Sequence, residues 1–159
     1  MIGHLADGIG ALDGLGPGTR AEPVERWHLT LCFHGPDSIE DRTRALAGAL
    51  PGLRAPRLRI GGWGEFRGVL WAGIQYASPA DEPALRALAV AAGADPERYT
   101  PHLTLLRFAG DRPEMRSLTT RLADYTGPWW TPAEVDLVRS DRTPRGPSYH
   151  SVARLALTG

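Results

Sequence analysis

The stretch WHLTLCFHG, residues 27–35, and the stretch PHLTLLRFAG, residues 101–110, share the tetrapeptide His-Leu-Thr-Leu. A β-strand carries residues i and i+2 on one face and the residues between them on the other. As strands, the two copies present His28 with Thr30, and His102 with Thr104, on a polar face. Leu29, Leu31, Leu103 and Leu105 turn to the core. Only five histidines occur in 159 residues, so the same four residues in each half point to an internal repeat.

The surrounding patterns repeat as well. Residues 2–15 carry Leu5, Ile9, Leu12 and Leu15 at helical spacing, and GPGTRAEP, residues 16–23, reads as a loop. VERWHLTLCF, residues 24–33, predicts a strand. Asp37 followed by Glu40 predicts a capping box, opening a helix to about residue 50 with Ile39, Leu46 and Leu50 on its apolar side. PRLRI (56–60) and GVLWAGIQY (68–76) are strand patterns, and GGWGEFRG (61–68) is a Gly-rich hairpin connection. In the second half a helix over 81–92 carries Leu85, Leu88 and Ala92. TPHLTLLRF (100–108) is a strand, and a helix over 112–125 carries Met115, Leu118, Leu122 and Tyr125. The strands AEVDLVRS (133–140) and YHSVARLAL (149–157) follow, joined by the polar loop DRTPRGP (141–147).

Each half thus runs helix, His-Leu-Thr-Leu strand, helix, strand, strand. Two copies are too few for a solenoid and fit one α+β domain over residues 1–159. The expected architecture is two pseudo-twofold related lobes, about 1–76 and 81–159, with ASPADEP (77–83) as the seam. Each lobe is an antiparallel sheet backed by helices, and the lobes flank a central cleft.

The eighteen acidic and eighteen basic residues cancel, so the chain lacks the overall charge of a general nucleic-acid binder. Every basic residue is Arg, as a GC-rich coding sequence also produces. Cys32 is the only cysteine, which excludes an intramolecular disulfide and suits a reducing, cytoplasmic compartment. No apolar run approaches the length of a membrane span, and no signal peptide pattern opens the chain.

Two imidazoles and two hydroxyls facing one cleft suit a phosphodiester. Imidazole titrates near pH 6.5, so one neutral ring can take a proton from water while a protonated one gives a proton to the leaving oxygen. Thr hydroxyls can donate to the non-bridging oxygens as charge builds on phosphorus. Zinc is disfavoured, because Thr is a poor ligand and neither copy has Cys, Asp or Glu at ligand spacing. His34 lies two residues beyond Cys32, but that pair has no matching second half.

Paired His-x-Thr motifs in two related halves resemble the 2H phosphoesterase superfamily. ERWHLTLCF, the segment Tyr99 to Arg107 and FRGVLWAGI are most similar to its bacterial RNA 2′,3′-cyclic phosphodiesterase branch, also called 2′-5′ RNA ligase. The resemblance implies metal-free and cofactor-free hydrolysis of a 2′,3′-cyclic phosphate on an RNA 3′ end or nucleotide, leaving a 2′-phosphate. It implies His28 and His102 as acid and base, with His102 the base by analogy, although the sequence leaves that order open. It further implies phosphate contacts from Thr30, Thr104 and Arg107, and cleft positions for Phe33 and Tyr149. Phe33 either stacks on a base or packs in the core. Arg107 stands at an odd offset from His102, which strict alternation places on the opposite face. Groups reading the base or leaving group fall in residues 61–68 and 141–147.

The family opens with a strand that has no counterpart before "MIGHLADG", and RAEPVER replaces its Trp-Val-Pro segment. A monomer is expected, with a dimer as the alternative if a second copy replaces the strand. The alternative functions are a non-catalytic RNA-end binding module, or a phosphodiesterase or 2′-5′ ligase with another substrate.

Overall fold

A computed structural model of the protein describes residues 1–12, 16–66, 68–109, 114–144 and 146–157. The elements are α1 (Ile2–Ile9), β1 (Thr19–Ala21), α2 (Ile39–Ala49), β2 (Leu58–Phe66), β3 (Val69–Tyr76), α3 (Asp81–Ala91), β4 (His102–Phe108), α4 (Arg116–Asp124), β5 (Glu134–Thr143) and β6 (Gly146–Ala156). The fold is α+β, and every strand pairing is antiparallel.

The compact units are not the sequential halves 1–76 and 81–159. One unit takes Met1–Thr30, Leu58–Ala77 and Thr100–Trp130, and the other takes Leu31–Arg57, Ser78–Tyr99 and the chain from Thr131. The exchange follows from pairing and burial. β4, from the second half, inserts between β1 and β3 of the first, in the order β1-β4-β3-β2.

In the first unit one face of this sheet presents Ile60, Leu70, Ala72, Leu103, Leu105 and Leu106 to Leu5 and Ile9 of α1 and to Leu118 and Leu122 of α4. Leu5, Ile9 and Leu122 are fully buried, so the apolar stripes expected of these helices are the ones used. Leu15 and the expected start of α4 at residue 112 lie outside the described residues.

The second unit has its own core, in which Leu46 and Leu50 of α2 and Leu88 of α3 pack with Val135 of β5. Its sheet is the β5–β6 hairpin. Ser38, rather than Asp37, caps α2, its hydroxyl accepting from the Asp41 N–H at 3.2 Å. Asp37 is engaged instead by the Arg42 guanidinium at 2.6 Å.

Three stretches differ from their sequence patterns. Within GPGTRAEP, Thr19–Ala21 forms β1, because Leu106 to Phe108 offer it a ladder. Within VERWHLTLCF, Val24–Arg26 is a 3₁₀ turn, and residues 27–34 join no ladder among the described residues. Trp27, 4% exposed, closes that turn by burying its indole and donating to the Glu22 carbonyl at 2.8 Å. The connections 61–68 and 141–147 are mostly strand. β2 continues to Phe66 through a bulge at Gly61 and Gly62, the latter at φ 75°, and the β5–β6 ladder runs to the Thr143–Gly146 pair.

In the second unit the buried Asp81 carboxylate accepts from the Arg57 N–H at 2.9 Å, the Ser78 hydroxyl at 2.7 Å, the Arg54 guanidinium at 2.7 Å and the Ser78 N–H at 2.8 Å. These donors hold its pKa down at about 2, below the ordinary 3.8. A carboxyl depressed in the folded state stabilises it above the ordinary carboxyl range, and that contribution fades as pH falls toward the folded value. Asp81→Asn is therefore expected to lower Tm by several degrees at pH 7. Its difference from the parent should shrink between pH 4 and pH 2 in thermal melts; a constant difference would contradict the assignment.

Candidate active site

The site residues are arranged by the register of β3 against β4. Val69, Trp71 and Gly73 share one face of β3, and their partners on β4 are Arg107, Thr104 and His102. Leu70 and Ala72 share the other face, opposite Leu106 and Leu103. The register shifts between Leu70 and Trp71, so Leu105 is an extra residue in β4, a β-bulge. The bulge resolves the odd offset. One added residue reverses the parity of the strand and turns Arg107 to the face of His102 and Thr104. Leu103, Leu105 and Leu106 all stay in the core.

The face continues to both sides. Arg20 of β1 lies opposite Arg107, and on β2 Phe66 lies opposite Val69 and Gly64 opposite Trp71. Glu22, 8% exposed, accepts at one oxygen from the Arg107 Nε–H and an Arg20 Nη2–H, each at 3.2 Å. Its own N–H donates to the carbonyl of the bulge residue Leu105 at 2.8 Å. One buried carboxylate thus orients two half-exposed guanidiniums on the sheet face that holds the second motif.

The first motif reaches this unit by a different route. β1 runs antiparallel to β4, so the chain leaving Ala21 proceeds in the direction of the His102 end. The 3₁₀ turn follows and leads into His28. Residues 28–31 keep a period of two without a ladder: His28 and Thr30 are exposed, Leu29 and Leu31 half-buried. Leu29 packs on the core of the first unit, and Leu31 on that of the second. His28, Thr30, His102, Thr104 and Arg107 all belong to the first unit.

Each motif imidazole is held in the same way. His28 Nδ1 donates to the carbonyl of Arg26 at 2.5 Å, and His102 Nδ1 to the carbonyl of Thr100 at 2.7 Å. A carbonyl only accepts, so each Nδ1 carries a proton. In the neutral ring Nε2 then has the lone pair of a base, and in the protonated ring Nε2–H is an acid.

His102 is also enclosed by rings. Phe66 stands nearly perpendicular to it at 5.0 Å between centroids, and Trp71 lies at 5.9 Å. The Trp71 indole lies over Gly64, where a Cβ would come within 2.1 Å of it, so only glycine fits beneath. The indole N–H is buried and meets no acceptor among the described residues. An unmade hydrogen bond costs about 1–3 kcal/mol, so this position uses the indole for its ring.

Phe33 and Tyr149 are placed in the second unit. Phe33 is 82% exposed, which excludes the core role open to it in sequence, and Tyr149 is exposed on β6 opposite Ser140. His34 lies 3.9 Å from the Cys32 sulfur, and burial and then the Arg42 charge lower its pKa. No group of three His, Cys, Asp or Glu gathers to hold a metal among the described residues. No helix among them is long and apolar enough to cross a membrane. The sequence pattern carries no sign of Arg20 and Glu22, which lie in a stretch patterned as a loop, and it marks Phe66 only within the segment 61–68 and the stretch FRGVLWAGI.

Residues 9–144 match the model of the 2′-5′ RNA ligase superfamily. The chain belongs to that family. No curated protein matches it in sequence. Among solved structures, TT0787 of Thermus thermophilus is 23% identical with a TM-score of 0.67, the match covering 99% of this chain and 92% of that one. LigT of E. coli complexed with 3′-AMP is 22% identical with a TM-score of 0.62, over 99% of this chain and 89% of that one. LigT complexed with ATP matches at 23% identity and a TM-score of 0.59, over 89% of this chain and 82% of that one. At these identities the likeness is one of fold, and the family resemblance of the two motifs agrees with it.

Replacing Glu22 by Ala leaves two guanidiniums without their shared acceptor, while the backbone bond from residue 22 to the Leu105 carbonyl is kept. The expected loss is about 2 kcal/mol, the scale of hydrogen bonds to charged groups, read as a lowered urea midpoint at unchanged slope. A midpoint equal to the parent's would show that the carboxylate holds nothing.

Proposed function

We propose that the protein hydrolyses 2′,3′-cyclic phosphates, on RNA 3′ ends or nucleotides, to 2′-phosphomonoesters, with His28 and His102 as acid and base and no metal. The observation that carries this reading is the matched anchoring of the two imidazoles, each by Nδ1 on the carbonyl two residues earlier. Matched tautomers make both Nε2 atoms available for proton transfer, in the two opposite states that a phosphodiester requires.

The reaction balances without another group. His102 Nε2 takes a proton from water as the water oxygen bonds to phosphorus. The bond from phosphorus to O3′ breaks, and the protonated His28 gives its Nε2 proton to O3′. A 3′-hydroxyl and a 2′-phosphate remain. Thr30 and Thr104 donate hydroxyl protons to the non-bridging oxygens, and Arg107, held by Glu22, adds a fixed positive charge. Membership of the 2′-5′ RNA ligase superfamily supports a phosphodiester substrate, and LigT complexed with 3′-AMP, ATP and NADP+ supports a nucleotide one.

Incubation in EDTA with a 2′,3′-cyclic nucleotide is expected to give the 2′-phosphate alone, resolved from the 3′ isomer by chromatography. His28→Ala and His102→Ala should each lower kcat by a hundredfold or more. The bell-shaped pH profile should lose one limb in each variant, the acidic limb with the base and the basic limb with the acid. Binding without turnover in EDTA, or full activity in both variants, would contradict the reading.

A further inference from the structure

On the site face of the first unit, two aromatic rings adjoin His102. Across the sheet the order is Arg20 on β1, His102, Thr104 and Arg107 on β4, Trp71 on β3, and Phe66 on β2. The core lies against the opposite face and includes neither Phe66 nor Trp71. Phe66 is nevertheless fixed, 5.8 Å from the Trp71 ring and 5.0 Å from the His102 ring, with 39% of its surface still exposed. A large ring locked in place on a polar face, with surface to spare, is a platform for a flat ligand. Gly64 serves the same end, because any side chain there would lift Trp71 off the sheet and spoil the wall beside Phe66.

We propose that Phe66, backed by Trp71, is a nucleobase-stacking subsite of the active site. This rests on the cyclic-phosphodiesterase reading and names the part of the substrate that reading leaves open. A nucleoside 2′,3′-cyclic phosphate carries its base one ribose away from phosphorus. A group that meets the base must therefore stand about one sugar's width from the imidazoles that act on the phosphate. Phe66 is the exposed ring that touches His102. Stacking on a π face reads the presence of a base rather than its identity, since every base has such a face. The subsite therefore favours nucleotides over other cyclic phosphates and tolerates all four bases.

The test compares kcat/KM for adenosine 2′,3′-cyclic phosphate with that for methyl ribofuranoside 2,3-cyclic phosphate, which keeps the sugar and the cyclic ester and lacks the base. The parent is expected to favour the nucleotide by about tenfold or more. Phe66→Leu, which keeps bulk and loses the π face, should bring that ratio below about threefold, and Phe66→Tyr should restore it. A parent ratio near one, or a ratio unchanged in Phe66→Leu, overturns the subsite and leaves the hydrolase standing. Hydrolysis of neither compound by the parent overturns the hydrolase and the subsite with it. Should Phe66→Leu not fold, the unmodified protein decides: purine protons of 2′-AMP should move upfield on binding through ring currents, and unmoved purine protons on bound 2′-AMP reject the platform.

Discussion

One extra residue in β4 organises the first unit. A regular strand through residues 102–108 would send Arg107 to the core side and Leu106 to the polar side. Burying a guanidinium without a partner costs several kcal/mol, and exposing Leu106 forfeits its burial as well. The bulge at Leu105 removes both conflicts, keeping three leucines against α1 and α4 while Arg107 joins His102 and Thr104. The bulge is in turn held from the residue after β1, where the Glu22 N–H binds the Leu105 carbonyl and the Glu22 carboxylate binds Arg107. Register, core and the charge pattern of the site are therefore one problem with one solution.

The two motifs anchor their imidazoles alike on unequal backbones. His102 sits in a ladder, opposite Gly73, whereas His28 follows a 3₁₀ turn and pairs with no strand among the described residues. What makes them alike is local: each imidazole folds back on the carbonyl two residues earlier, which needs no partner strand. The surroundings then separate the two. His102 is half-buried between Phe66 and Trp71, and His28 is exposed.

Much of this was legible in the sequence because it depends on period alone. Leu5 and Ile9, and Met115, Leu118, Leu122 and Tyr125, are buried as their helical spacing requires, and the alternation of His28 to Leu31 survives even without a ladder. The misreadings have a common cause. GPGTRAEP has loop composition, yet Thr19–Ala21 becomes a strand because β4 presents an edge to it. GGWGEFRG and DRTPRGP contain turn residues, yet their neighbours' ladders extend into them, to the Phe66–Val69 and Thr143–Gly146 pairs. Pairing is a property of two segments, and a pattern within one segment does not contain it.

The sequence by itself determined the duplicated His-x-Thr pairs, the family, the α+β class and the faces of the helices, since each is written in residue identity and local spacing. Tertiary structure decided which segments share a core, through the insertion of β4 between β1 and β3. It also decided which side Arg107 faces, and that Arg20, Glu22, Trp71 and Phe66 stand around the second motif. The reason is that these placements depend on strand register across separations such as the 85 residues between Glu22 and Arg107. A single bulged residue reverses the face of everything beyond it.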